Sequence, residues 1–369
     1  MHFFPHTLEL VLVTILVSLL FLGIVHFFFP RVGFLDKPAL YGLKRKAVPY
    51  SIGIILPAIF WVITVYFFPS INSLYPIVIG LTVLSVIAFV DDYLKISPYL
   101  RLAAQVCVAL YLVWSGLGIT SITSPFGGAL HLDMWRWDIL GHTLYPLSLL
   151  LTVFWIMLVI NAINWLDGFQ GLVSGVGTIT SAVYVGLSLI LLAGTALSQE
   201  EIAHAQVTGS LSLVLFISVG IIWLYEGVLK KGVLGDSGTY AIGYLLAILS
   251  IFSYGKIATL FLVLGVPILD FFWVIFRRVW IEKRSPFQGD HLHVHHRLQY
   301  IGLSQRSTAL CIYALSIGLG VLALVLKTKG KLYAILAFLI LAALFFIGVV
   351  LVQKRSKAKK SFDRDWRAT

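Results

Sequence analysis

Carboxylates stand at the ends of two strongly apolar segments of the sequence, where they could hold a cation. Asp91 and Asp92 directly follow Phe89-Val90, and Asp236 lies in a Gly-Asp-Ser-Gly turn that opens another apolar segment. Adjacent carboxylates repel each other, so such a pair at the end of a membrane span is sustained by a metal ion or by a basic side chain. A solvated helix end for the pair, and an ordinary helix N-cap at Asp236, stay open as alternatives at this point.

Amides and a further carboxylate mark the end of another apolar segment, which reads Asn161-Ala-Ile-Asn164-Trp-Leu-Asp167-Gly168-Phe-Gln170-Gly171. A spacing of three residues places Asn161, Asn164 and Asp167 along one side of a helix as it ends. The two glycines permit a tight turn and a close approach of the backbone to a ligand. Contacts between amides that hold transmembrane helices together are the structural alternative.

Histidines are concentrated in one basic loop, residues 277–308. Four of the ten histidines fall within six residues there, and the loop also contains six Lys or Arg side chains. Histidines this close, with Asp290 beside them, could bind a transition metal, and together with arginines they could instead bind phosphate oxygens. A basic loop that touches lipid headgroups is the third reading. The side chains concerned are Arg277, Arg278, Arg284, His291, His293, His295, His296 and Arg297.

A shorter segment, Asp36-Lys37-Pro38, places an acid within a basic loop that continues to Lys44-Arg45-Lys46. Asp36 and Lys37 could contact a phosphate group of a substrate. A signal for membrane orientation would explain the lysines and arginines of this loop equally well.

The elements that must position these groups are apolar enough to belong to a membrane protein. Of 369 residues, 59% are hydrophobic and 12% are charged, whereas soluble domains are about 45–50% apolar and about 25% charged. This composition excludes a soluble enzyme and a disordered chain, and two cysteines are too few for a disulfide scaffold. Continuous apolar runs also argue against an outer-membrane barrel.

We therefore expect an all-α, polytopic helical membrane protein with about eleven transmembrane helices. The predicted spans are Leu8–Phe29, Ile52–Phe68, Leu74–Val90, Leu102–Ile122, Leu144–Ile163, Leu172–Ala193, Val207–Tyr225, Thr239–Phe252, Ala258–Phe276, Ala309–Leu326 and Tyr333–Val352.

The positions of Lys and Arg predict the orientation of these helices. Residues 353–369 contain seven of them, so the C-terminus is expected in the cytoplasm and, with an odd number of spans, the N-terminus outside. We expect one integral membrane domain, residues 1–352, followed by a basic cytoplasmic tail, residues 353–369, in the inner or plasma membrane of the cell. The net charge of +11 is explained by this topology and by attraction to anionic lipid and phosphate, so it requires no nucleic-acid partner.

In this orientation the acidic span ends and the histidine loop all lie at the cytoplasmic face. Carboxylates and amides suit Mg²⁺, whereas Arg, Lys and His suit phosphates. Phosphoryl transfer at a membrane surface with Mg²⁺ needs both sets, because charge on the transferring and leaving oxygens must be neutralised. A proton- or metal-coupled transporter is the main alternative from another class, although it predicts ionisable groups near the middle of the membrane. An intramembrane prenyltransferase is a weaker one, since Asp91-Asp92 lacks a third carboxylate.

The order of these motifs resembles that of the polyprenyl-phosphate N-acetylhexosamine-1-phosphate transferases. The motifs run Asp-Lys-Pro, Asp-Asp-Tyr, Asn-x-x-Asn-x-x-Asp-Gly, Gly-Asp-x-Gly, Asp270 with Arg277-Arg278, and His-x-His-His, between about residues 36 and 313. The segment His293-Val-His295-His296-Arg297-Leu298 is more similar to the undecaprenyl-phosphate N-acetylglucosamine-1-phosphate transferase branch than to the phospho-MurNAc-pentapeptide translocase branch.

The resemblance implies that a UDP-N-acetylhexosamine and undecaprenyl phosphate react, with Mg²⁺ or alternatively Mn²⁺, to give a lipid-linked sugar diphosphate and UMP. It implies that Asp236 and Asn164 hold the metal, and that Asp91 deprotonates or orients the lipid phosphate with support from Asp92. It also implies that Asp167, Gly168 and Gln170, with Asn161 nearby, contact the nucleotide. The residues implied at the phosphates or sugar are Asp36, Lys37, Arg278, His293, His295, His296 and Arg297.

Three departures from the family pattern put the identity of the donor in question more than the type of reaction. Gln170 stands where the family usually has Asp or Asn, His291 where it has Arg or Lys, and Val233 where it often has an aromatic residue. Phospho-MurNAc-pentapeptide transfer therefore stays open, as does a homodimer.

Overall fold

The computed structural model describes residues 6–38, 46–124, 126–139, 142–194, 197–253, 257–286, 292–344 and 348. Helices dominate this part of the chain, which confirms the all-α membrane class. The helices are α1 Thr7–Val32, α2 Ile55–Phe67, α3 Leu74–Leu94, α4 Pro98–Trp114, α5 Pro146–Leu166, α6 Leu172–Leu192, α7 Gln199–Ile222, α8 Gly235–Phe252, α9 Ile257–Val263, α10 Gly265–Phe276, α11 Val294–Tyr300 and α12 Gln305–Val325.

Shorter elements connect these helices. A 3₁₀ turn, Ile52–Ile54, precedes α2, and π-helical turns extend α7 and α10, at Trp223–Val228 and Arg277–Ile281. Among the described residues, six short strands form three antiparallel pairs. They are β1 Leu35–Asp36 with β2 Val48–Pro49, β3 Ser121–Thr123 with β4 Ala129–His131, and β5 Trp137–Ile139 with β6 His142–Leu144.

Seven of the described helices are long and apolar enough to cross a membrane, or eight if the pair α9 and α10, bent by 81°, is one span. Each of the first ten predicted spans overlaps a helix, but α2 and α4 are shorter than the span length. The span predicted at Leu102–Ile122 was too long, because α4 ends at Trp114 and Gly116 then adopts a left-handed φ of 84°. The count of eleven and the orientation stay predictions.

The last predicted span is only partly described. Residues 328–344 are helical, and the rest of Tyr333–Val352 lies outside the described residues. The basic tail 353–369, and Asp290 and His291 of the histidine loop, also lie outside them.

Helix α8 is the centre of the bundle, and 83% of it is buried. It packs most extensively against α5 and α3, and also contacts α6 and α7. Glycine permits the close contact with α5, because a Cβ on Gly243 would lie 2.8 Å from the Cα of Ile160. A helix buried on all sides has its N-terminal N–H groups inside the protein, where they need partners.

The segment that precedes α2 pairs with the segment that precedes α8. The N–H groups of Ile52 and Gly53 donate to the carbonyls of Val233 and Leu234, at 3.1 and 3.0 Å. A Cβ on Gly53 would lie 2.0 Å from the Cα of Gly238. This close contact carries the 49–54 segment to the N-terminus of α8.

We predict that Gly53→Ala destabilises the protein by about 1–3 kcal/mol, because the added methyl group overlaps the backbone of α8. The change is measured as a lower thermal unfolding midpoint and a smaller monodisperse fraction in detergent. Gly23→Ala is the matched control, since no atom lies within 4 Å of the Cβ it adds. An equal midpoint for the two variants would show that the contact between Gly53 and Gly238 does not hold this end of the bundle together.

Candidate active site

The N-terminus of α8 receives the Asp92 carboxylate from the end of α3. Oδ1 of Asp92 accepts the N–H of Asp236 at 3.1 Å, and Oδ2 accepts the N–H of Ser237 at 3.4 Å. Oδ2 also accepts the Ser51 hydroxyl at 2.5 Å, and Ser51 is buried with a left-handed φ of 63°. Negative charge is stabilised at a helix N-terminus, so Asp92 holds the acidic turn in place, and its predicted part in the reaction stays a prediction.

Asp91 and Asp236 share one cation. Nη1 of Arg101, in the first turn of α4, lies 2.7 Å from Oδ2 of Asp91 and 3.6 Å from Oδ2 of Asp236. The Asp91 side chain is buried, whereas Arg101 and Asp236 are partly accessible. Arg101 thus links two acidic motifs that are separate in the sequence.

Asn164 faces the other oxygen of Asp236, as predicted for a shared site. Its Nδ2 donates to Oδ1 of Asp236 at 3.1 Å and to Oγ1 of Thr239 at 2.9 Å. Asn161, one turn earlier, points away from this pair, since its Nδ2 donates to Oε1 of Gln105 at 2.6 Å and to the Met157 carbonyl. The two amides of the motif are therefore divided, and Asn164 alone contacts the acidic turn.

Within the described part of the chain, no three His, Cys, Asp or Glu side chains converge closely enough to hold a metal by themselves. Mg²⁺ is usually held by one or two carboxylates and completed by water and substrate phosphates. The Asp236 carboxylate beside the Asn164 amide fits that pattern. Negative charge at this place also favours a cation, because Asp91 and Asp236 share Arg101 and the Asp92 carboxylate accepts the backbone N–H of Asp236.

Asp167 directly follows the last residue of α5, and its carboxyl is close enough to feel the charges of Asp236 and Asp92. Burial raises the pKa of its carboxyl well above the ordinary value, and the charges of Glu226, Asp236 and Asp92 raise this pKa further. Gly168 follows, and a Cβ on this residue would lie 2.0 Å from Nε2 of His295. The glycine is therefore required for the close contact between this turn and the histidine segment.

The histidine segment folds as α11 against this turn. His293 and His295 lie in parallel planes with ring centroids 5.8 Å apart, and His296 is 4.1 Å from His295. His295 is 1% exposed, and neither of its ring nitrogens has a hydrogen-bond partner among the described residues. Burial lowers the pKa of His295 to about 3, with further lowering by His296 and His293. It is therefore neutral at physiological pH.

Asp270 of α10 orients His293. Its Oδ2 lies 2.8 Å from Nδ1 of His293, and its Oδ1 accepts the N–H of Val294 at 2.8 Å. A carboxylate beside one ring nitrogen of a histidine fixes the ring orientation and determines which nitrogen carries the proton. The sequence motif contained Asp270 but gave this residue no role. In the structure it is buried beside His293 and orients that side chain.

The arginines of the loop lie on both sides of the histidines. The Arg278 guanidinium lies over the ring of Trp165, 5.0 Å from its centroid, and Nη1 donates to the Pro286 carbonyl at 2.6 Å. Nε of Arg297 donates to the Leu292 carbonyl at 2.8 Å. Both are buried. Two buried guanidinium groups beside the histidine segment suit the binding of a polyanion.

Gln170, Asp36 and Lys37 lie at the edges of this region. Nε2 of Gln170 donates to the Gly232 carbonyl at 2.6 Å, so the amide connects two turns of the site. Asp36 and Lys37 line a separate cavity of about 450 Å³, together with Tyr50, Tyr93 and Asp92. Asp92 is thus the acidic-turn residue that this cavity contacts.

An apolar cavity of about 330 Å³ is lined in part by Arg101 and Asn164, which also contact Asp236. Asn161 adds a further polar group, and most of the other lining residues are apolar. The apolar lining is formed mainly by Leu102, Phe154, Met157, Leu158, Phe271 and Ile275. Such a cavity fits a ligand with a long hydrocarbon part and an anionic head.

Sequence reasoning found most of these groups but missed two that hold the site together. Both are buried: the Ser51 hydroxyl bonds to Asp92 and Ser237, and the Glu226 carboxylate accepts the N–H groups of Gly171 and Leu234. Glu226 had a usable signal, because an ionisable residue within an apolar span is a candidate for function by default. Ser51 had none, since a single serine in a loop is not distinctive.

A profile of glycosyl transferase family 4 matches residues 74–254, a range that contains Asp91, Asn164, Asp167 and Asp236. The chain is 31% identical over 325 residues to the probable undecaprenyl-phosphate N-acetylglucosaminyl 1-phosphate transferase of Bacillus subtilis, which covers 86% of this chain and 84% of that protein.

Two further relatives support the same assignment. The undecaprenyl-phosphate alpha-N-acetylglucosaminyl 1-phosphate transferase of Escherichia coli K12 is 28% identical over 328 residues, with 84% of this chain and 83% of that protein covered. The decaprenyl-phosphate N-acetylglucosaminephosphotransferase of Mycobacterium leprae is 29% identical over 248 residues, with 63% and 59% covered. The chain therefore belongs to glycosyl transferase family 4 and is a phosphotransferase, as the order of its motifs predicted.

Proposed function

We propose that this protein transfers N-acetylglucosamine 1-phosphate from UDP-N-acetylglucosamine to undecaprenyl phosphate and releases UMP. The single observation that carries the proposal is that Arg101, which Asp91 and Asp236 share, lines the apolar cavity. This arrangement brings an anionic lipid head to the groups that could activate it. The names of the relatives, which transfer N-acetylglucosaminyl 1-phosphate to polyprenyl phosphates, support this choice of donor and acceptor.

In the proposed reaction, the lipid tail lies in the apolar cavity and its phosphate lies beside Arg101. Asp91 takes a proton from that phosphate, or orients it, and the freed oxygen attacks the phosphorus that carries the sugar. A new P–O–P bond forms, the bond between the two donor phosphates breaks, and UMP leaves with the electron pair. Positioning and charge neutralisation account for most of the catalysis in such transfers.

The donor diphosphate would lie between the acidic turn and the histidine segment. Arg278, Arg297 and His293 would contact its oxygens, while neutral His295 supports the turn at Gly168. Asp236 and Asn164 would hold Mg²⁺, or Mn²⁺ in its place, and the cation would supply neutralisation of the diphosphate charge. Asp167, Gly168 and Gln170 would contact the nucleoside.

We further propose that this chemistry takes place at the cytoplasmic face of the inner or plasma membrane and starts a cell-envelope glycan. The predicted orientation supports this placement, because the basic loop 277–308 carries six Lys or Arg residues near the site and such loops stay in the cytoplasm. The clustering of ionisable groups at one end of the bundle favours a transferase over a transporter, whose groups lie near the middle of the membrane.

The proposal is tested with purified protein, Mg²⁺, undecaprenyl phosphate and a panel of labelled donors. We expect UMP and a lipid-linked product from UDP-N-acetylglucosamine, and much less from UDP-N-acetylgalactosamine or UDP-MurNAc-pentapeptide. Product from the pentapeptide donor alone would assign the protein to peptidoglycan synthesis. Absence of UMP with every donor would refute the transfer itself.

We predict that Asp91→Asn and Asp236→Asn each lower kcat by at least about a hundredfold, because each removes charge from the reacting centre without changing its shape. UMP release is the measurement, and the thermal midpoint verifies folding. Asp133→Asn is the matched control, since this aspartate is exposed beside His131 in the β3–β6 region. If both site variants keep wild-type turnover, the assignment of these carboxylates is wrong.

Gly168→Ala should lower kcat/KM by about tenfold to a hundredfold, because the methyl group displaces the His295 ring from the turn. Steady-state kinetics with varied donor measure the effect. Gly220→Ala adds the same methyl group where the nearest atom is 3.7 Å away, so it should keep wild-type kinetics. Unchanged kinetics for Gly168→Ala would mean that the turn and the histidine segment separate without cost.

The lowered pKa of His295 predicts a pH dependence of stability. Its pKa is about 3 in the folded protein and 6.5 ordinarily, so below pH 6.5 the unfolded chain binds a proton that the folded chain does not. Stability therefore falls as the pH decreases from 7 to 4, by up to about 1.4 kcal/mol per pH unit from this residue.

Thermal unfolding midpoints at pH 7.5 and pH 5 measure this effect, and His295→Gln should lose less stability between them than the wild type. His131→Gln, which changes an exposed histidine, should keep the wild-type difference. An identical pH dependence for all three proteins would show that His295 titrates normally.

A further inference from the structure

Glu226 is a buried carboxylate that the proposed transfer does not use. It lies in the π-helical turn Trp223–Val228 that extends α7, and it is 1% exposed. Burial of a carboxylate is costly unless hydrogen bonds compensate for the lost water. Single π-helical turns also occur frequently at functional sites, because they redirect a side chain that a regular helix would place elsewhere.

The Glu226 carboxylate joins the starts of two helices. Its Oε1 accepts the Ser174 hydroxyl at 2.6 Å and the N–H of Gly171 at 3.3 Å, both at the start of α6. Its Oε2 accepts the N–H of Leu234 at 2.9 Å, directly before α8. Both helix N-termini favour negative charge. One side chain thus satisfies donors from two turns that are about sixty residues apart in the sequence.

These are the two turns that carry the candidate donor-binding groups. The first, residues 167–171, contains Asp167, Gly168 and Gln170, and the second, residues 232–236, ends in Asp236. The Gln170 amide bridges them as well, through its bond to the Gly232 carbonyl. Backbone also packs on backbone here, since a Cβ on Gly171 would lie 2.7 Å from the Cα of Gly227.

We propose that Glu226 is a positioning residue that fixes the distance between the turn 167–171 and the turn 232–236, and thereby sets the affinity for the uridine diphosphate part of the donor. The inference rests on the proposed function for the identity of that donor. Glu226 does not contact the reacting atoms in this account. It acts through Gly171 and Leu234, whose N–H groups it holds.

The proposal predicts that charge and length at this position both matter. In Glu226→Gln, the amide NH₂ must face either the Leu234 N–H or the Gly171 N–H. Two hydrogen-bond donor groups then face each other, so one of the two turns loses its hydrogen bond to residue 226. Glu226→Asp keeps the charge but is shorter by one methylene, so it reaches only one of the two turns. Ser174→Ala removes a single hydroxyl and leaves both backbone bonds in place, which makes it the matched control.

Amide hydrogen exchange in the full-length protein tests whether Glu226 holds the turns. We expect peptides that contain Gly171 and Leu234 to exchange about tenfold faster in Glu226→Gln and Glu226→Asp, with unchanged exchange in the middle of α8. Ser174→Ala should exchange as the wild type does at Leu234. Wild-type exchange at both turns in both Glu226 variants would overturn the proposal.

Steady-state kinetics and UDP binding by calorimetry then test the consequence for the site. We expect the KM for the UDP-sugar and the Kd for UDP to rise about tenfold to a hundredfold in both Glu226 variants, with an unchanged KM for undecaprenyl phosphate. A purely structural role would lower the thermal midpoint and leave both constants of the folded protein unchanged, and that result would also overturn the proposal. If the wild type releases no UMP, the proposed function fails, while the exchange data still decide whether Glu226 joins the two turns.

Discussion

The buried N-terminus of α8 is the constraint on which the arrangement of the site depends. A helix enclosed on all sides leaves its first N–H groups without water, and in this protein the Asp92 carboxylate accepts those of Asp236 and Ser237. That requirement ties the end of α3 to the start of α8. It also explains the close contact of Gly53 with Gly238, since the 49–54 segment must come near enough for Ser51 to reach Asp92.

Because Asp92 bonds to the start of α8, we propose that its neighbours take the reactive positions. Asp91 faces Arg101, and Asp236 lies between Arg101 and Asn164. A concentration of negative charge at one end of an apolar cavity is unfavourable unless cations approach it. The same imbalance favours binding of a metal ion and, through it, of phosphates. In the proposed reaction, the negative charge of Asp91 and Asp236, which is unfavourable by itself, therefore helps to bind the substrate.

The positions of the motifs could be predicted from the sequence, but the different contacts that residues of one motif make could not. Periodicity and hydropathy predicted the helices, and the order of the acidic motifs predicted the family. The spacing of Asn161 and Asn164 suggested one shared role, yet Asn161 bonds to Gln105 of α4 because a helix that ends between two neighbours presents its successive turns to different partners.

Hydrogen bonds between residues far apart in the chain could not be predicted from sequence patterns. Glu226 bonds to Gly171 and Leu234, and Ser51 bonds to Asp92 and Ser237. Such pairings depend on how helices pack rather than on spacing along the chain. The length of the predicted span at Leu102–Ile122 was also wrong for a local reason, since hydropathy averages over the glycine that follows the end of α4.

A structure of the protein with UDP-N-acetylglucosamine and Mg²⁺, determined by cryo-electron microscopy in a lipid nanodisc, tests the central claim most directly. The account predicts density for the diphosphate between the Asp236 turn and α11, with the metal on Asp236 and Asn164 and the nucleoside beside Gly168. Density for the nucleotide at the opposite end of the bundle, for example in the cavity beside His204 and Phe252, would contradict it.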